Sequence, residues 1–511
     1  MKAADSETLT RRLHRFFRAA IARQNNPDSY AVFLGGTPGP SALNRWSLIG
    51  LNAERTLELT GNRLTITRAG QPPETHLIQT SEDLLTHCRR FQSACPVRSP
   101  HTPDPDIRAP EDLPFRGGLV GMAGYEAARW MTSGCNASAP DRDAGGDAPD
   151  LLLIACRDWL VADLHCENVT LLSADDDSQT KLIDLWRESL PCADDALVTT
   201  DGNPLPGFEQ SLNDATFAEA VDRIQEHIRQ GNVYQANLAV RFEQQLPLDL
   251  LNLYETLCHQ NPSPFSAFIS WPDGALVCNS PERLVRTTPE GRAETRPIAG
   301  TRGRGDATTD DEAVGALLRG NEKEKAEHLM LVDLERNDLG RVCRAGSVTV
   351  DELLTLERYS HVTHLVSNIQ GALNPDTDAW DVLRAMFPGG TITGCPKLRC
   401  MEILAGAEPV RRGLYTGSVF WIDAATGAMD SNIIIRSLQC RRMKPADPTE
   451  PRTETGYNGA WRVSLHAGAG IVADSLAPHE YHECHRKAAA MMTALRLAVQ
   501  PENLPPVLTP H

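Results

Sequence analysis

Residues 466–487 read H-A-G-A-G-I-V-A-D-S-L-A-P-H-E-Y-H-E-C-H-R-K. Four small residues, Ala467-Gly468-Ala469-Gly470, are expected to make a turn where backbone can approach a ligand closely. A short apolar step follows, and Pro478 then precedes a run with helical spacing. Within that run Glu480, Glu483 and Lys487 fall at i, i+3 and i+7, on one face of a helix. Two carboxylates and an ammonium on one stripe are the ingredients of a site for a cation and a small acid. The alternative is a solvated surface face. The nearby H-E-Y-H does not extend to the zincin H-E-x-x-H, because position 483 is Glu and the i, i+4 histidine pair is missing.

A second carboxylate pair lies upstream in N-E-K-E-K-A-E-H-L-M-L-V-D-L-E-R-N-D-L-G (321–340). Glu324 and Glu327 are i, i+3 on a helix whose other face, Met330, Leu331 and Leu334, is expected to be buried. One carboxylate from each of two helices can clamp Mg²⁺, which takes few protein carboxylates and keeps positions for water and substrate oxygens. Between the helices lie H-V-T-H-L-V-S (361–367), with His364 beside an apolar strand, and F-P-G-G-T-I-T-G-C-P-K (387–397). Gly389, Gly390, Thr391 and Gly394 offer backbone N–H groups and hydroxyls to an anion. Pro297-Ile298-Ala299-Gly300-Thr301, with Arg302 and Arg304 after it, reads as another turn of that kind. Arg436, in I-I-I-R-S, places a guanidinium at the end of a buried strand, suited to a carboxylate or to a structural ion pair.

Length and charge bound the rest. A chain of 511 residues with 41% hydrophobic content builds a substantial core, and its net charge of −17 disfavours nucleic acid and anionic membrane surfaces. Thirteen cysteines without a C-x-x-C pair suggest reduced thiols in a cytoplasmic protein, and no apolar run approaches a membrane span. Residues 1–28 look like an amphipathic helix and 30–70 like antiparallel strands. Residues 94–112 and 133–149 read as loops, and 441–459 as a polar insertion. The acidic stretch from Asp175 through Pro206 is expected to be irregular and marks a boundary. Residues 217–230 are strongly helical, with Gly231 as a stop. Helices and strands mix without βαβ spacing, so the fold class is α+β with antiparallel sheets. We expect an N-terminal region over 1–205, a catalytic domain over 210–497 and a loose tail over 498–511.

Taken in order, S-P-E-R (280–283), P-I-A-G-T, E-K-A-E-H-L-M-L-V-D-L-E-R-N-D, H-L-V-S, G-G-T-I-T-G-C-P-K and A-G-A-G-I-V-A-D-S with E-Y-H-E resemble the chorismate-utilising enzymes. These include the component I subunits of anthranilate and aminodeoxychorismate synthases, and the isochorismate and salicylate synthases. The resemblance is dense from about 210 to 497. It implies a large chorismate-binding fold of antiparallel sheets flanked by helices. It also implies Mg²⁺ on Glu327 and Glu483 with Glu324 and Glu480 beside them. The family histidine near the ring matches His364, and substrate contacts match Gly300, Thr301, Thr391, Tyr415, Arg436, Gly468, Gly470 and Lys487. His364 or a neighbouring carboxyl would protonate the departing ring hydroxyl.

Water-using members carry a lysine base where this chain has Gln235, so the resemblance implies ammonia as nucleophile. Y-Q-A-N-L-A-V-R-F, Pro264-Phe265-Ser266-Ala267-Phe268 and Phe33-Leu34-Gly35-Gly36 resemble the aminodeoxychorismate type. The anthranilate type tends to other residues in the last two segments, where they help form its tryptophan feedback site. Ala299 points the other way, since some aminodeoxychorismate synthases use a lysine there as a covalent nucleophile. The expected partners are chorismate, a separate glutamine amidotransferase subunit supplying ammonia, and a downstream lyase. Anthranilate synthase component I is the alternative.

Overall fold

In a computed structural model the described residues are 2–24, 29–37, 42–103, 110–132, 148–190, 204–303, 322–358, 362–443 and 457–499. Side chains of 299–303 and 322–324 lie outside the description, as do Arg304, residues 133–147 and 444–456, and the tail beyond 499. All strand pairings among the described residues are antiparallel and join into one hydrogen-bonded system. This is the α+β class that the mixed pattern implies.

The apolar alternation shows how the sheet is layered. In Phe265–Trp271, Phe268 joins a core shared with helices, whereas Ala267, Ile269 and Trp271 join a second core built without helical residues. A period of two places alternate side chains on opposite faces, so this strand has helices on one side and strands on the other. Gly118–Ala123 behaves alike: Val120 and Met122 face the helix-free core, while Leu119 and Ala123 meet a different helix-lined core. Two strand layers therefore face each other, each covered outside by helices.

Two long strands connect the layers. Along Leu151–Asp163, Leu151, Leu153 and Ala155 belong to one helix-lined core and Leu160 and Ala162 to the other. Its partner Trp46–Thr60 shifts register between Ala53 and Arg55, beside Asn52 at φ 57°, and this bulge lets the pair bend across. Strands from the first 205 residues are woven among later ones. Ala31–Leu34 pairs with Phe265–Trp271, and Gly118–Ala123 with Ser418–Asp423.

Three local expectations are corrected. Ala467–Gly470 is not a turn but part of strand Asn458–Ile471, paired residue for residue with Gln235–Asp249. Pro297–Thr301 likewise contributes to strand Ile298–Gly303, with a register shift between Ala299 and Thr301. The run after Asp175 is a helix, Asp176–Glu188: Asp175 Oδ1 caps the Ser178 N–H at 2.8 Å, and Asp176 and Asp177 complement the N-terminal dipole. The remaining helices follow their periodicity, including Lys2–Gln24, Asp214–Arg229 before Gly231 at φ 72°, Glu322–Gly340 and Ala477–Ala498. No helix among the described residues is long and apolar enough to cross a membrane, and every described cysteine is free.

Candidate active site

The two central strands align Asn237 with Gly470 and Ala239 with Gly468. Side chains two apart share a face, so Gln235 and Asn237 lie together over the glycines. A Cβ at Gly470 would run into Gln235 Nε2, and one at Gly468 into Asn237 Oδ1 and, at 3.0 Å, the Tyr415 hydroxyl. Small residues are required here for that close approach. Gln235 Oε1 and Asn237 Oδ1 are buried acceptors without hydrogen-bond partners among the described residues, a costly arrangement unless a ligand satisfies them.

Helix Ala477–Ala498 closes one side. Lys487 Nζ donates to the Gly468 carbonyl at 2.9 Å and pairs with Glu483 Oε1 at 2.8 Å. Glu480 instead accepts from Ser475 Oγ at 2.8 Å, tying the helix to the turn before it. Tyr415 stacks on His466, centroids 5.1 Å apart, and burial pushes its phenol up.

A carboxyl to which the sequence reading gave no role faces the same space. Glu282 is 6% exposed, its Oε1 has no hydrogen-bond partner among the described residues, and burial pushes its pKa up to about 7. The Thr391 hydroxyl, the Ile298 N–H and the charges of Arg436 and Lys487 oppose that rise. Thr391 lies close enough to favour the ionised form yet outside hydrogen-bonding geometry. Arg436, held at φ 50° just before strand Ser437–Arg442, is pulled down by burial and back up by Glu282. The local motif S-P-E-R was the only signal for Glu282.

Helix Glu322–Gly340 forms the other wall. Glu335, 2% exposed, accepts from Thr295 Oγ1 at 3.3 Å. Burial raises its pKa to about 8, with Asp338 and Glu282 adding to the rise and Lys397 and the Gly390 N–H opposing it. Lys397 itself pairs with Asp338 at 2.6 Å. Of the expected buried face, Leu331 and Leu334 are buried and Met330 only partly so.

Glu327 is half-buried on the same helix, whereas the Glu324 side chain lies outside the described residues. His364 is buried in strand Val362–Ala372, its backbone opposite Thr301 and Glu357. Gly300 and Thr301 have described backbone only. The structure thus gathers Lys487, Gly468, Gly470, Tyr415, Arg436 and Thr391 around Glu282, Gln235 and Asn237. No group of three or more His, Cys, Asp or Glu among the described residues is disposed to hold a metal ion.

A cavity of about 660 Å³ lies apart from these groups, lined by Leu34, Gly35, Phe265, Ser266 and Arg283 among others. There the Gly35 N–H donates to the Ser266 carbonyl at 2.7 Å.

A family model described as chorismate binding enzyme matches residues 61–493. The chain is 40% identical over 395 residues to aminodeoxychorismate synthase component 1 of Bacillus subtilis, covering 75% of this chain and 78% of that one. It is 36% identical over 493 residues to anthranilate synthase component 1 of Synechocystis, covering 91% of each. The solved anthranilate synthase component I of Streptococcus pneumoniae superposes with a TM-score of 0.68 at 27% identity, covering 89% of this chain and 92% of that one. Motifs, architecture and relatives agree, and the chain belongs to the chorismate-binding enzymes.

Proposed function

We propose that this chain makes 4-amino-4-deoxychorismate from chorismate and ammonia, as a component I subunit fed by a separate glutamine amidotransferase and followed by a lyase that releases p-aminobenzoate. The observation that carries the ammonia-using reading is the pair of orphaned acceptors, Gln235 Oε1 and Asn237 Oδ1. Ammonia brings N–H donors to meet them, and neither amide has the basicity to take a proton from water. In the overall reaction one ring C–O bond breaks and one C–N bond forms. The leaving oxygen departs as water with a donor's proton, and the new ammonium nitrogen returns one.

Glu282 is suited to that donation, because burial keeps a proton on its carboxyl near neutral pH. Arg436 and Lys487 supply positive charge for the carboxylates of the substrate. His364 remains a second donor candidate. Glu327 and Glu483 would hold Mg²⁺: both present oxygen donors only, both are partly exposed, and their helices each send a titratable group within electrostatic reach of Glu282. When bound, the ion would supply charge stabilisation for the ring carboxylate.

The choice of branch is supported by the likeness to the B. subtilis protein and by the two segments that meet at the 660 Å³ cavity, Leu34-Gly35 and Phe265-Ser266. Ala299 favours anthranilate synthesis as the second reading. The deciding experiment gives the purified chain chorismate, Mg²⁺ and ammonium salt, and identifies the product by chromatography with and without added lyase. The expected product becomes p-aminobenzoate only with the lyase. Dominant fluorescent anthranilate without the lyase makes the second reading correct, and isochorismate formed without ammonia would overturn both. In the same assay Glu327→Gln and Glu483→Gln should each nearly abolish turnover, and near-normal rates at saturating Mg²⁺ would remove the metal assignment.

A further inference from the structure

Far from Glu282 in sequence, strands Trp46–Thr60, Arg63–Arg68 and Glu74–Leu77 form a ribbon beside helix Ser81–Ser93. Arg55 and Arg68 sit directly opposite each other across this ribbon. Like charges so placed repel, and natural strands avoid the arrangement unless something compensates. The helix adds a third guanidinium, Arg90, so that Arg55, Arg68, Arg90, His76 and His87 line one cleft of about 260 Å³ with Glu74 as its one acidic residue. Glu74 is engaged, since Arg68 NH1 donates to it. Neither Arg55 nor Arg90 has an ion-pair partner among the described residues. The rings of His76 and His87 lie 4.6 Å apart, and Phe91 floors the cleft, 5.9 Å from the Arg55 guanidinium. None of the residues gathered around Glu282 lines it.

Such a concentration of positive charge on a chain of net charge −17 runs against the overall field. A single carboxylate would leave it under-compensated. A phosphate group brings about −1.5 to −2 charges and three strong acceptor oxygens, which matches three converging guanidinium groups. We propose that this cleft binds a phosphate group, as inorganic phosphate or as the phosphate of a small monoester, between Arg55, Arg68 and Arg90 with His76 and His87 beside them. His87 supports the reading. Burial and then His76 hold its pKa below the usual value, Asp83 opposes them, and Arg90 adds to the lowering. An arriving dianion adds to the pull of Asp83 and Glu74 for a proton on His87, against the three arginines.

The test is calorimetric titration of the full chain with inorganic phosphate at constant ionic strength, repeated with phenyl phosphate and with acetate. We expect saturable phosphate binding that weakens about tenfold or more in Arg90→Gln and further in the Arg55→Gln/Arg90→Gln pair. Melting temperature and chorismate turnover should stay unchanged in both variants. Tighter binding of phenyl phosphate would assign the site to monoesters, and equal binding to free phosphate. No saturable heat, an undiminished affinity in the double variant, or acetate binding as well as phosphate would each overturn the proposal. Should the double variant fail to fold, Arg90→Gln alone decides, because Arg90 is an exposed helix residue.

Discussion

Arg412 and Lys487 approach the same pair of strands: Arg412 NH2 donates to the Asn237 carbonyl at 2.6 Å and Lys487 Nζ to the Gly468 carbonyl at 2.9 Å. Their surroundings differ sharply. The Arg412 side chain is 2% exposed, chelates Glu408 at 2.7 and 2.9 Å, and also reaches Ile392 O and Thr416 Oγ1. Burial alone would lower its pKa, but the charge of Glu408 outweighs that and holds it raised. Lys487 is half exposed, with one carbonyl and one carboxylate for three ammonium donors. A guanidinium with its donors engaged is a strut between the strand, the Gly390–Ile392 turn and the loop before Ser418. An ammonium with a donor to spare among the described residues is free to take a further partner.

The largest effect should come from the carboxyl that senses Lys487. Glu282→Gln keeps the shape but donates no acidic proton, so turnover should fall by about 10²–10⁴-fold with the melting temperature nearly unchanged. Wild-type turnover in this variant would shift the donor role to His364.

Breaking the strut is next. Arg412→Met leaves Glu408 buried without its cation, and urea unfolding should show a loss of about 3–5 kcal/mol. Adding Glu408→Leu should recover most of it. If Arg412→Met is as stable as wild type, the contrast with Lys487 disappears.

Glu335 extends the comparison to acids. Unlike Glu408 it has no cation bound directly among the described residues, and its pKa rises from 4.5 to about 8. An acid that holds its proton more tightly when folded adds stability in full below about pH 4.5, and that contribution drains away as pH climbs to about 8. Glu282 and Glu126, each raised to about 7, slope the same way up to that pH. Buried His14, His328 and His466, held below their usual range, oppose this slope up to about pH 6.5, so unfolding free energy should fall between pH 7 and 8, and Glu335→Gln should flatten the slope there. Parallel slopes for the two proteins would show that Glu335 is ionised throughout.

The smallest effect on stability belongs to Lys487→Met, within about 1 kcal/mol, as expected for a half-exposed pair. Its signature is kinetic: KM for chorismate should rise. An unchanged KM would leave Lys487 with a purely structural role.

Helices were legible because 3.6-residue periodicity is local. Asp214–Arg229 announces itself by Phe217, Val221 and Ile224, and the acid pairs carrying Glu327 and Glu483 by their i, i+3 spacing. The strand character of Ala467–Gly470 was hidden, because what holds it extended is pairing with residues some 230 positions earlier. The helix after Asp175 was hidden for another reason: an acidic run that looks irregular in composition is a favourable first turn once Asp175 caps it. Motif resemblance singled out Arg436 and Tyr415, which lie among the residues gathered near Glu282, and His364, whose backbone lies opposite Thr301 and Glu357. It did not reveal that Glu282 is buried beside Arg436, because burial is a property of the assembled layers.

The early strands woven among later ones also set a timetable for synthesis. Gly118–Ala123 leaves the ribosome long before Ser418–Asp423, its partner about 300 residues later. At about 5–20 residues per second that edge waits roughly 15–60 s unpaired. Val120 and Met122 stay wet until then, together with much of the helix-free core. The nascent chain must therefore be guarded by chaperones or by transient local pairing with Leu151–Asp163, which already follows close behind.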